Sequence, residues 1–301
     1  MSWKPVFVGN FRSGTTLLVN LLAYHPDLAP WFETKGLCEP LRWMRVLKTP
    51  GTMPFESTLA RPHGGDGFSL EIVLQRLRID ARETADRIGG RLQTGKGSHE
   101  RYTQGADLVG YDLAFAEAAQ ASWAEVIDRD GPSALAEATG ALIRRLGVCH
   151  AETFQKPLWI NKTPEMPRFG RELREALGPC RILLMVRDGR EVVQSARSLG
   201  WGETKALADW WKGLILESRA ASSDVPEDYL EVRYEDLLRD PQRTLDQILD
   251  FLGVGGSAAS LIDRAQKAGL EIRPATSKGN AIDPEIEAAL DHSLLESLGY
   301  G

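Results

Sequence analysis

A chain of 301 residues with 43% hydrophobic and 26% charged residues has the length and apolar content for one sizeable α/β core, so a single domain over residues 1–301 is expected. Its net charge of −6 disfavours nucleic acid and anionic membrane surfaces as partners, and any small anion must be held by local positive groups. The first residues lack a signal-peptide pattern, no apolar run approaches the roughly 18 residues of a spanning helix, and the scattered Cys38, Cys149 and Cys180 suit neither a disulfide framework nor a zinc site; a cytoplasmic protein without a membrane span is the expectation.

Pro5-Val6-Phe7-Val8-Gly9 reads as a short, buried parallel strand. A polar loop leads from it to a helix starting near Gly14, with Leu17, Leu18, Leu21 and Leu22 at helical spacing and His25-Pro26 as its end. Residues 61–110 carry Gly64-Gly65, Gly89-Gly90 and Gly95-Lys96-Gly97 around a charged stretch and read as a surface insertion. Residues 112–147 suit two helices parted near Gly131-Pro132. Leu158-Trp159-Ile160 is a second strand, followed by the loop Asn161-Lys162-Thr163-Pro164. Arg181 to Val186 is a strand buried on both faces; Arg187-Asp188-Gly189 carries it into a helix striped by Val192, Val193, Ala196 and Leu199. Tyr229 to Tyr234 is a further strand, before a helix from Pro241 to Gly253, and helices are expected near 257–268 and 284–297. Strands alternating with helices predict an α/β fold with a parallel sheet.

Gly9-Asn10-Phe11-Arg12-Ser13-Gly14-Thr15-Thr16 has the length and glycine positions of a P-loop, with Thr15 where the lysine of a nucleoside triphosphate site would stand. Backbone N–H groups at a helix N-terminus, with the hydroxyls of Ser13, Thr15 and Thr16, suit phosphate oxygens. The missing lysine, and the lack of an evident acidic partner for Mg²⁺, point away from γ-phosphoryl transfer and leave Arg12 to supply the charge. On the loop alone, a turn capping an ordinary helix is an equal alternative. A second motif follows the Arg181 to Val186 strand. Arg187 at its carboxyl end and Ser195 on the next helix are spaced to grip one phosphate, in the crevice where open α/β sheets take ligands. Taken singly, an Arg after a strand is more often a surface ion pair, and a helix Ser more often back-bonds or meets solvent.

Together these residues resemble the sulfotransferases that use 3′-phosphoadenosine 5′-phosphosulfate (PAPS). Arg12-Ser13-Gly14-Thr15-Thr16-Leu17 is similar to the family's 5′-phosphosulfate loop, Leu183 through Arg190 with Ser195 to its 3′-phosphate motif, and Arg233-Tyr234-Glu235-Asp236-Leu237 to the segment after it. His25-Pro26-Asp27 leading to Glu33-Thr34, with Asn161-Lys162-Thr163-Pro164, resembles the tyrosylprotein sulfotransferase-like and bacterial branch, which has Asn-Lys-Asp-Pro there. The resemblance covers 5–35 and 157–253 and is weak over about 36–156, a helical, Gly-rich insertion on the acceptor side.

The resemblance implies a P-loop-type parallel sheet flanked by helices, the sulfotransferase fold, and sulfonate transfer from PAPS to a hydroxyl with no metal. It implies Glu33 as general base, Lys162 as the cation at the departing phosphate and the transferring sulfonate, and Arg12 as a second clamp. Arg12, Ser13, Gly14, Thr15, Thr16, Arg187, Ser195, Tyr234 and Lys278 would hold the donor, leaving 3′,5′-adenosine bisphosphate as product. The chemistry suits these roles, since a carboxylate takes the acceptor's proton while fixed cations stabilise charge on the bridging oxygen. A small-molecule, carbohydrate, lipid or peptide hydroxyl would be the acceptor. His63 and His99 are rival bases, and Trp31, Trp201, Trp210 and Trp211 either line an aromatic acceptor pocket or belong to the core. A kinase-like P-loop phosphotransferase and a catalytically silent nucleotide-binding module are the alternatives.

Overall fold

Apolar side chains that alternate between the two faces of each strand build the sheet. The computed structural model describes residues 3–32, 34, 37–48, 111, 113–270, 272 and 282–301. Its five strands are β1 (Val6–Gly9), β2 (Leu28–Phe32), β3 (Leu158–Lys162), β4 (Arg181–Val186) and β5 (Tyr229–Arg233). They pair in parallel throughout, in the order β2-β3-β1-β4-β5. Val6 and Val8 turn to one core with Ile160, Leu183 and Met185, and Phe7 turns to the other with Trp31, Trp159 and Ile182.

Helices cover both faces. Against Phe7 lie α2 (Cys38–Lys48), α3 (Leu113–Asp130), α4 (Leu135–Thr153) and α5 (Gly170–Leu177); against Val6 lie α1 (Thr15–Leu22), α9 (Pro241–Leu252) and α10 (Ala258–Lys267). A third cluster joins Phe11, Leu184 and Val186 to α6 (Gly189–Ser198), α7 (Thr204–Ser222), α11 (Pro284–Ala289) and α12 (His292–Ser297). The short α8 (Tyr234–Arg239) follows β5 directly. The fold is a five-stranded parallel sheet flanked by helices, and among the described residues no helix is long and apolar enough to cross a membrane.

Several elements depart from the sequence reading for identifiable reasons. β2 falls where no strand is expected, because Pro30 sits in its middle; at the end of the sheet order, an edge strand tolerates the missing N–H. β3 runs two residues beyond Ile160, so Asn161 and Lys162 belong to the strand rather than the loop: they pair with Phe7 and Val8 of β1 on one side and with Trp31 and Phe32 of β2 on the other. Tyr234 opens α8 instead of closing β5. The 284–297 stretch is two helices, because Leu290 leaves helical geometry and Asp291 starts α12 afresh by accepting from Leu294 N at 3.0 Å. Trp31 and Trp211 are fully buried and belong to the core. The 61–110 insertion, with His63 and His99, lies outside the described residues.

Charge contacts fasten α2 to its neighbours. Arg45 donates to Glu172 of α5 at 2.9 and 3.0 Å and to Glu217 of α7 at 2.9 Å, and Glu217 also accepts from the buried Arg168 at 2.8 Å. His150 on α4 is fully buried and meets the Pro30 carbonyl at 2.9 Å, bonding the one strand whose proline cannot donate. Burial pushes its imidazole down to about 4, against the Pro30 bond, which favours charge; Lys156 adds to the lowering. The folded state therefore prefers neutral His150, and the unfolded chain protonates it below its ordinary value of 6.5. The stability this provides is complete above that pH and falls as pH drops toward 4, by about 3 kcal/mol in all. Urea melts at pH 7 and pH 4.5 should show this loss in the native chain and a clearly smaller one in His150→Gln; equal losses would place the acid sensitivity elsewhere.

Candidate active site

The carboxyl ends of the strands bring the site together, with the chain leaving β1 between β3 on one side and β4 on the other. The loop from Asn10 to Gly14 is held to both. Asn10 N–H donates to Pro164 O at 2.9 Å on the β3 side, and Asn10 Nδ2 donates to Met185 O at 2.9 Å on the β4 side. To do both, Asn10 takes φ 94°, a left-handed conformation in which asparagine is commoner than most residues. Arg12 follows at φ 52° and Gly14 at φ 80°. Ser13 is buried and its hydroxyl donates to Phe11 O at 3.0 Å; Thr15 Oγ1 reaches Asn10 O at 3.5 Å. Both hydroxyls are turned onto the loop's own carbonyls, so what the loop offers an anion is chiefly backbone N–H at the start of α1.

Arg12, Arg187 and Ser195 meet across this loop. Arg12 Nε donates to Ser195 Oγ at 2.9 Å, and Arg187 Nη1 donates to Arg12 O at 3.2 Å. The Arg12 side chain reaches solvent, yet partial desolvation and then the charge of Arg187 lower its guanidinium from the ordinary value. Arg187 also pairs with Glu191 one turn along α6, Nε to Oε2 at 3.0 Å, and sits 4.9 Å above the Tyr234 ring centroid. The same ring closes on Gly14, where a Cβ would stand 2.1 Å from it. Trp201, 49% exposed, flanks the Arg12 guanidinium at 5.7 Å, while Trp210 stacks on Phe11 with centroids 4.1 Å apart.

Lys162 ends β3 and is 2% exposed. Asn161 Nδ2 donates to Thr34 Oγ1 at 2.7 Å, and Thr34 N–H donates to Thr163 Oγ1 at 3.0 Å. Phe32 pairs with Lys162 in the sheet. The residues on either side of Glu33 are thus tied to residues 161–163, while Glu33 and Lys278 themselves lie outside the described residues. A Cβ on Gly9 would overlap the Pro167 ring at 2.3 Å, so the stretch after β3 packs directly on the anion loop. Of the sequence candidates, Arg12, Ser13, Gly14, Thr15, Thr16, Arg187, Ser195 and Tyr234 share one neighbourhood, with Lys162 on the β3 side of the same loop. Asn10 and Thr163 were not singled out, although asparagine after a strand glycine is itself a left-handed-turn signal. Among the described residues no group of three or more His, Cys, Asp or Glu side chains is placed to hold a metal ion.

A family model described as "Sulfotransferase family" matches residues 80–256, more than half of the chain, a span that includes Lys162, Arg187, Ser195 and Tyr234. Among curated proteins none matches the sequence. Similar solved structures include the sulfotransferase domain of a Synechococcus olefin synthase, 20% identical with a TM-score of 0.49 over 100% of this chain and 97% of that one. Another is a sulfotransferase from Mycobacterium avium, 14% identical with a TM-score of 0.47 over 98% of this chain and 76% of that one.

Two glycines separate strain from contact. Gly14 and Gly131 both have positive φ, 80° and 74°, but a Cβ at Gly131 meets nothing within 4 Å. Gly131→Ala should cost about 1 kcal/mol for the backbone alone, and Gly14→Ala more than about 2 kcal/mol because the Tyr234 ring must also move. Denaturant midpoints compare the two; equal costs would mean that Tyr234 yields freely.

Proposed function

Since the chain belongs to the sulfotransferase family, we propose that it moves a sulfonate from PAPS to a hydroxyl by in-line displacement, leaving 3′,5′-adenosine bisphosphate. The acceptor oxygen bonds to sulfur as the bond from sulfur to the 5′-phosphate's bridging oxygen breaks. That oxygen keeps the electron pair, and the hydroxyl's proton goes to Glu33. The observation that carries the reading is that Arg187 donates to the Arg12 carbonyl and the Arg12 guanidinium to Ser195, beside a loop that presents backbone N–H groups. One anionic end of the donor suits the loop and the other suits Arg187 with Ser195, which a nucleotide phosphorylated at both 5′ and 3′ positions satisfies.

Lys162 is the cation at the departing oxygen. Laddered on both sides and nearly dry, its ammonium acts in a medium where charge counts for more than in water. Arg12 is the second clamp: its bond to Ser195 ties together the two segments that take the two ends of the donor. Tyr234 supports Gly14 and Arg187 from below, and Lys278 completes the donor set. The acceptor is a hydroxyl on a small molecule, carbohydrate, lipid or peptide, admitted from the α2 to α4 side.

Isothermal titration tests the donor. Adenosine 3′,5′-bisphosphate should bind equally with and without Mg²⁺ and lose more than about tenfold in Arg187→Ala; tight binding of ATP with Mg²⁺ instead would favour the kinase reading. Chemistry is tested with PAPS and a panel of acceptors read by mass gain of one sulfonate. Glu33→Gln and Lys162→Met should each lower turnover by at least about a hundredfold while bisphosphate affinity stays within about threefold. Full turnover in both variants would sink the mechanism.

A further inference from the structure

Tyr300, in the segment after α12, is buried; its backbone N–H returns to Leu295 O at 2.9 Å, and its hydroxyl, ring and carbonyl lead to the second anion motif. Its ring centroid lies 4.3 Å from the Arg233 guanidinium carbon, its hydroxyl donates to Glu235 Oε2 at 2.5 Å, and its carbonyl accepts from Arg190 Nη1 at 3.0 Å. Glu235 uses its other oxygen to accept from Asp188 N–H at 3.3 Å. Asp188 in turn accepts from Arg190 N–H at 2.9 Å and Arg190 Nη1 at 3.1 Å. Arg187 precedes Asp188 and rests on Tyr234, which precedes Glu235. The contacts close into a ring through Tyr300, Glu235, Asp188 and Arg190.

We propose that Tyr300 is a positioning residue of the donor site: its hydroxyl holds the Glu235 carboxylate against the Asp188 amide, and so fixes the Arg187 turn in the orientation that receives the 3′-phosphate. The inference rests on the proposed donor. Without the hydroxyl, Glu235 is left beside Arg233 with one oxygen unpartnered, free to swing off the Asp188 amide. Burial, and then the bond to Glu235 and its charge, raise the phenol far above its ordinary value, so the hydroxyl remains a donor at any working pH. The ring does a separate job, packing with Leu294, Leu295 and Leu298 in the third core. Tyr300→Phe separates the two, keeping the packing and removing the bond.

The experiment is titration of the native chain, Tyr300→Phe, Glu235→Gln and the double variant with adenosine 3′,5′-bisphosphate and with 5′-AMP. The ratio of the two affinities measures the 3′-phosphate contact alone. Tyr300→Phe should bind the bisphosphate about tenfold more weakly, with 5′-AMP affinity within about twofold, and its melting temperature should fall by no more than a few degrees. The double variant should be no weaker than the weaker single one, because both changes act through the same Tyr300–Glu235–Asp188 chain of contacts. Should Tyr300→Phe fail to fold, Glu235→Gln carries the same comparison. A native ratio in these variants, or equal weakening of both ligands together with a lowered melting temperature, would overturn the positioning role. A native chain that shows no preference for the bisphosphate over 5′-AMP would overturn the donor reading itself, and the inference with it.

Discussion

One strained residue holds the site together. Asn10 accepts a left-handed backbone, a cost of about 1–3 kcal/mol for a residue other than glycine, in exchange for two buried bonds to opposite neighbours of β1. Those bonds fix three strand ends relative to one another: the anion loop after β1, the Lys162 end of β3 and the Arg187 end of β4. Because one tie is to a carbonyl of β4 and the other to the turn just after β3, the spacing between the loops inherits the rigidity of the core. Side chains that work on opposite ends of an extended ligand need that kind of ruler.

Charge is arranged on the same principle, locally against a net negative whole. Each arginine near the site has a companion that aims it: Ser195 for Arg12, Glu191 and the Tyr234 ring for Arg187, Asp188 and Glu287 for Arg190. Arg190 is spent on holding the turn, whereas Arg187 reaches the loop through the Arg12 carbonyl and Arg12 reaches out of it to Ser195. Such local placement suits a small anion of the kind proposed above, against a net charge of −6 that disfavours long polyanions.

The candidate anion loop was legible in the sequence because it is local. A strand, a turn and a helix N-terminus occupy about fifteen consecutive residues, so periodicity and a few Gly, Ser and Thr positions expose them. Arg187 and Ser195 are similarly close in sequence. What stayed hidden depends on distant partners. Pro30 disguises β2, whose strand character comes from pairing with β3 and from His150, 120 residues away. Lys162 looked like a loop residue until β1 and β2 extended the ladder past Ile160. The inward turn of the Ser13 hydroxyl is a matter of loop geometry that residue type alone does not disclose. Tyr300 carries no motif at all; it lies 65 residues from Glu235 and 110 from Arg190, and only the fold brings it to them.

The nearness of Arg12 to Arg187 has a thermodynamic side. Partial burial, and then repulsion between its charge and that of Arg187, disfavour the charged Arg12 guanidinium, and Glu191 offsets only the Arg187 charge of the two. An anion lodged between them removes that repulsion, so occupancy and folding stability rise together by mass action. A nucleotide of the proposed kind would in this sense be the counter-ion for these arginines, and its binding would add to folding stability.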